Sequence, residues 1–311
     1  MPITDPELAT RILDCFRAAG VRFIVLHHED KVGTADLTSD VDIALGIPIR
    51  DALVMAQDRL REANVTAALL WPYDIGGGAS VFFTDSVGDE GAQIDALFDV
   101  RGRGRYGLRS PELFAGEQVG RKYPTPQHLD GLLYIARKAK VKGKDEDFIS
   151  VTRTLGSFYT AEQVARRVET LFSSPVAGAL LAHLSGRQMP PPVRIDRLVR
   201  SLIRIASRGL RPIGLWVDVV GPAAQEKASN LQARFGRWLV RSESGRRPSG
   251  FKTKLWWLRA VVPVRLRPGI YFSFGRERAT WPHPDLVLDS RADDSELAEQ
   301  VVAKMALRAL Q

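Results

Sequence analysis

The segment Ser39-Asp40-Val41-Asp42-Ile43-Ala44-Leu45 constrains this chain more than any other. Its side chains alternate in character with a period of two, the period of a β-strand with one buried face. Asp40 and Asp42 therefore project from one side, and Val41, Ile43 and Leu45 from the other. Carboxylates so close repel, and one tends to protonate unless a divalent cation neutralises them; hard oxygen ligands suit magnesium or manganese. Gln93-Ile94-Asp95-Ala96-Leu97-Phe98-Asp99 alternates in the same way, with Ile94, Ala96 and Phe98 on its buried face. If that strand pairs beside the first, Asp95 completes a three-carboxylate site. The competing reading of the pair is chance, since acid-x-acid spacing is common. Its setting after a strand, a loop and Ser39 favours function.

The flanking elements read as an α/β unit with a mixed sheet. Asp5-Pro6 starts a helix that Gly20 ends, and strands follow at 21–26 and 40–45 across a polar loop. Residues 48–63 form an amphipathic helix, and three strand candidates come next at 65–72, 79–85 and 92–99. The Gly-rich turn SVGDEG makes a hairpin of the last two. From 108 to 208 the pattern is mostly helical, with starts at Ser110-Pro111, Thr125-Pro126 and Thr160-Ala161. Pro190-Pro191-Pro192 interrupts it before a basic helix at 193–208. A new strand, 213–220, leads through Gly221-Pro222 into a helix at 224–240. The segment 242–250 reads as a loop, followed later by a strand at 285–289 and a terminal helix at 293–310.

The run Phe23-Ile-Val-Leu-His-His28, an eleven-residue loop, Asp40-Val-Asp42 and the later Asp95 resembles the nucleotidyltransferase superfamily of the DNA polymerase β type, in its minimal bacterial form. The resemblance covers roughly residues 1–105. It implies Asp40, Asp42 and Asp95 as catalytic metal ligands for Mg2+ or Mn2+, with a nucleoside triphosphate as substrate and a hydroxyl or phosphate as acceptor. Ser39, His28 and Lys138 then stand near the nucleotide. The family places Gly-Ser or Gly-Gly after the first strand, where this chain has His27-His28. An imidazole there either blocks the phosphates or, protonated, donates to them. The basic run Arg137 to Lys144 either reaches a phosphate or is a solvated helix end favoured by the macrodipole. Arg101, Arg103 and Arg105 stand ready as a flexible clamp.

Farther on, Gly221-Pro-Ala-Ala-Gln-Glu226-Lys227-Ala228 has the spacing of a phosphate-binding loop without its second glycine or its metal-holding hydroxyl. Only Gly221 and Lys227 remain. The layout resembles a thymidylate-kinase-like P-loop domain in degenerate, pseudo-kinase form. The resemblances together give an α/β protein with a nucleotidyltransferase-like sheet domain at 1–107, a helical extension at 108–208 and a degenerate P-loop α/β domain at 209–311.

Charge bears on partners. The 311 residues carry a formal net charge of +8. Residues 191–282 alone hold 19 Lys or Arg against 5 Asp or Glu, and five of the six tryptophans. Basic and aromatic side chains interleaved in this way suit an anionic partner such as a nucleic acid, a phosphorylated glycan or a membrane surface. The alternative is that the tryptophans fill a core with arginine stems around them. A single cysteine, Cys15, excludes an internal disulfide or a multi-thiolate zinc site within one chain. No leader pattern and no transmembrane segment stand out, so a cytoplasmic protein is expected.

Overall fold

The computed structural model describes residues 4–37, 39–72, 78–98, 108–118, 122–186, 214–239, 241–247, 269–277 and 283–309. The Arg101–Arg105 run, the basic helix at 193–208 and Trp256, Trp257 and Trp281 lie outside them. The described residues form a mixed α/β structure with two sheets.

The first unit runs α1 (Pro6–Ala18), β1 (Phe23–Val25), β2 (Val41–Leu45), α2 (Ile49–Glu62), β3 (Thr66–Pro72), β4 (Ala79–Thr84) and β5 (Gly91–Leu97), with a short 3-10 turn at Glu29–Lys31 between β1 and β2. The Asp5 side chain accepts a hydrogen bond from Leu8 N at 2.8 Å and Pro6 fills the first turn, so α1 starts where its cap dictates. The sheet order is β1-β2-β5-β4-β3. β2 and β5 run parallel, and the other neighbours run antiparallel. The expected hairpin is β4–β5.

One face of this sheet carries Val41, Ile43, Leu45, Ile94 and Ala96, and α1 and α2 bury it. The other face is shared. At the β1–β2 end, Ile24, Leu26 and Ala44 join the core of a helical layer: α3 (Ser110–Phe114), α4 (His128–Lys142), α5 (Asp145–Phe158), α6 (Ala161–Leu171) and α7 (Ser174–Leu184). α4 begins at His128 rather than at Thr125, whose backbone instead bridges Gln118. α6 has a reciprocal capping box between Thr160 and Gln163.

At the β3–β4 end, Ala68, Leu69 and Phe82 join the core of the second α/β unit. That unit comprises β6 (Leu215–Val220), α8 (Ala224–Phe235), β7 (Arg241–Arg246), β8 (Gly269–Gly275), β9 (Leu286–Asp289) and α9 (Asp294–Ala309). Its sheet is parallel throughout, in the order β7-β8-β6-β9. β7 corrects the expectation of a loop at 242–250: its sequence is polar, but its backbone pairs along β8 as an edge strand, where polar residues are tolerated. β8, an apolar and aromatic run bounded by glycines, is a central strand that the sequence reading passed over.

Candidate metal centre

The acidic residues meet on the shared face of the first sheet, between the helical layer and the second α/β unit. Parallel pairing puts Asp42 of β2 directly beside Asp95 of β5. Asp40 immediately precedes β2. The three carboxylates each offer an oxygen, and these oxygens lie within 4.8 Å of one another. Period-two alternation sends Val41 and Ile43 into the opposite core and leaves the acids on this side.

Asp42 is the centre of a closed network. Its side chain is 5% exposed. Tyr134 donates its hydroxyl to Oδ1 at 3.1 Å. On Oδ2 converge His27 Nε2, at 2.7 Å, and the ammonium of Lys138, which is itself 3.0 Å from that imidazole nitrogen. Tyr134 and Lys138 stand one turn apart on α4, which packs down through Leu133, Ala136 and Ala139. Burial by itself pushes the Asp42 carboxyl up; the His27 hydrogen bond and the Lys138 charge outweigh it and bring the pKa to about 2. Burial and the Asp42 charge hold the Tyr134 hydroxyl well above its ordinary range, so it remains a donor. The ring of His27 stacks on that of Tyr134, with centroids 5.8 Å apart, and its Nδ1 has no hydrogen-bond partner among the described residues.

Asp95 is held from its own hairpin. Ser80 Oγ and Gln93 Nε2 each donate to its Oδ1 at 2.8 Å. Ser80 faces Asp95 across the β4–β5 ladder, and Gln93 lies two residues before it on the same face.

This donor set fits a divalent cation. It consists of hard carboxylate oxygens from two adjacent strands, and Asp42 carries a full negative charge at any ordinary pH. The cluster could hold a metal ion. The positive charge beside Asp42 is supplied in this structure by Lys138.

The remaining candidates are distributed differently. His28 adopts a left-handed conformation, φ 57° and ψ 34°, ahead of the 3-10 turn, and its ring meets His27 edge-on at 4.6 Å. Burial, followed by the charges of His27 and Lys31, lowers its pKa, so the imidazole is neutral at pH 7. Ser39 is exposed just before Asp40. In the basic run, Lys138 turns inward whereas Lys140 reaches Asp145 at 3.4 Å and Lys144 reaches Asp147 at 3.5 Å. Lys227 lies far from the acids in sequence and topology, on α8, 2.7 Å from Asp294 at the start of α9. Only Gly221, Pro222 and Ala223 separate β6 from α8. A Cβ on Gly221, whose φ is +118°, would fall 2.3 Å from Ser290 Oγ. Trp216 and Trp238 are buried in the second unit's core.

The sequence reading missed Tyr134, Ser80 and Gln93. Gln93 shares the parity of Asp95, and Ser80 was recoverable from the hairpin register; Tyr134 depended on how α4 docks. No family model matches the chain, nor does any curated protein or solved structure match it at a significant level.

Proposed function

We propose that the protein is a metal-dependent nucleotidyltransferase, moving a nucleoside monophosphate from a triphosphate to a hydroxyl or phosphate on a small molecule, sugar or protein. The observation that carries this reading is the in-register meeting of Asp42 and Asp95 on parallel strands, with Asp40 beside them. Asp40, Asp42 and Asp95 would hold Mg2+ or Mn2+. When bound, the metal supplies charge neutralisation for the phosphates and an acidified acceptor hydroxyl. Ser80 and Gln93 fix the Asp95 carboxylate, and Tyr134 orients Asp42. His28, neutral and next to His27, offers one N–H to a phosphate oxygen. It stands after β1, where the DNA polymerase β-type superfamily that the chain resembles has a small residue, and is a departure from that pattern.

Thermal unfolding with ATP, CTP, GTP or UTP plus magnesium tests the reading. At least one nucleotide is expected to raise Tm in the natural chain and not in Asp40→Ala/Asp42→Ala. No rise with any nucleotide, or an equal rise in the variant, overturns it.

A second reading is favoured by the contacts of Lys138 and His27 with Asp42 and by the tie between Lys227 and Asp294. Under it both nucleotide sites have decayed, and the protein binds an anionic partner through the basic region 191–282. Two of that region's five tryptophans are core residues, which narrows the aromatic surface it can offer. Salt-dependent retention of the full chain on nucleic acid or anionic vesicles supports this reading, and indifference to both removes it.

A further inference from the structure

We infer that Lys138 is a built-in counter-ion for the acidic cluster, keeping a divalent cation off the bare protein until a triphosphate arrives to receive the displaced ammonium. The inference rests on the metal-dependent reading above and adds to it an order of binding. Three carboxylates within 4.8 Å of one another need opposing charge, and the most buried of them cannot draw it from solvent. Lys138 supplies it. Its ammonium contacts Asp42 Oδ2, while Tyr134, one turn earlier on α4, takes Oδ1. In the same basic run, Lys140 and Lys144 instead pair with acids on α5.

A divalent ion and an ammonium cannot share Oδ2, because like charges at contact distance repel, the more so on a carboxylate only 5% exposed. Binding the ion at Oδ2 therefore requires Lys138 to leave, and His27 Nε2, 2.7 Å from the same oxygen, to give up that contact. Lys138 has the means: a compact charge on a flexible four-carbon stem, with 21% of the side chain exposed. It needs a new anion, or the loss of its pairing is charged against the metal. A triphosphate at the cluster is that anion. Metal alone thus competes with Lys138, whereas metal and triphosphate together replace one ion pair by two. The coupling is reciprocal, so metal strengthens triphosphate binding by the same factor.

The test is a Mn2+ titration of the full chain, following free Mn2+ by electron paramagnetic resonance, without nucleotide and then with a non-hydrolysable ATP analogue, whose own chelation of Mn2+ is measured without protein and subtracted. Wild type is compared with Lys138→Met and Lys138→Gln, which remove the charge, and with Lys138→Arg, which retains it and with it the pairing that supports folding. The neutral variants are expected to bind Mn2+ alone about tenfold more tightly than wild type and to lose most of the enhancement by the analogue. Lys138→Arg is expected to stay as weak as wild type toward Mn2+ alone. If wild type binds Mn2+ and the neutral variants bind it equally or less well, Lys138 does not compete, and the inference falls while the metal reading stands. An arginine variant that binds Mn2+ alone more tightly than wild type also overturns it. If no form binds Mn2+ with or without the analogue, the metal reading itself fails.

Discussion

At the scale of single residues, two side chains hold conformations or charges that their surroundings must sustain. His28 sits at φ 57°, which a β-carbon disfavours, and its backbone carbonyl accepts from Lys31 N in the 3-10 turn. Replacing it with glycine, His28→Gly, should relieve about 1 kcal/mol of strain, partly offset by greater freedom of the unfolded chain. Urea unfolding is therefore expected to show a variant no less stable than wild type, together with weaker nucleotide binding if the imidazole contacts phosphate. Asp42 makes the opposite case. Its carboxyl lies at about 2 in the folded protein against an ordinary 3.8, so its contribution is present above pH 3.8 and is lost as pH falls toward 2. In Asp42→Asn the stability between pH 4 and 2 should fall less steeply than in wild type, read from Tm across that range. The alternation around Asp42 and Asp95 made their shared face legible in the sequence. Tyr134 was not legible as a partner of Asp42, and Lys138 was legible only as a group near the nucleotide, because both come from a helix more than ninety residues away whose docking no local pattern encodes.

At the scale of elements, caps and breakers marked helix ends well where a side chain does the capping. Asp5 and Thr160 both hydrogen-bond the backbone N–H groups expected of them. α4 shows where that signal runs out: Thr125-Pro126 has the composition of a start, but Gln127 takes the cap position without a side-chain bond. The register of α4 is instead fixed by Asp130. It is 1% exposed and grips Arg167 of α6 through two hydrogen bonds of 2.6 Å, while the same guanidinium donates to Glu112 O of α3 at 3.0 Å. One residue thus ties three helices. Removing a single partner leaves the other charge buried, so Asp130→Ala is expected to cost about 3–5 kcal/mol, measured by urea unfolding. Because α4 also carries Tyr134 and Lys138, the same variant should weaken Mn2+ binding in the presence of nucleotide. β7 and β8 mark the other limit. β7 is polar and is a strand only by virtue of its neighbour, whereas β8 has a strand composition that was readable and went unread.

At the scale of the whole molecule, the two α/β units are joined through core rather than through a linker. Phe82 and Leu69 of the first sheet are fully or almost fully buried among Leu231, Phe235, Trp238, Val301 and Met305 of the second unit. The hairpin that carries Asp95 is fastened at its turn: Trp238 donates its indole N–H to Gly88 O at 3.0 Å, and Arg234 donates to Val87 O at 3.2 Å. A Cβ on Gly91 would fall 2.0 Å from Trp238 Cγ, so the close approach of the indole requires glycine at the first position of β5. Nothing in the local sequence of either unit announces this joint, since Ala68, Leu69 and Phe82 read as an ordinary strand face. A chain ending at residue 186 should accordingly expose the apolar face of β3 and β4. It is expected to aggregate, or to bind a hydrophobic dye as a partly folded species, when followed by light scattering and dye fluorescence. Gly91→Ala tests the same joint without truncation. Overpacking against Trp238 should cost about 1–3 kcal/mol, and it should also lower Mn2+ affinity in the presence of nucleotide, because the strand displaced is the one that presents Asp95. A truncated chain that is monomeric and cooperatively folded, or a Gly91→Ala variant with wild-type stability and metal affinity, would mean that the second unit does not support the site.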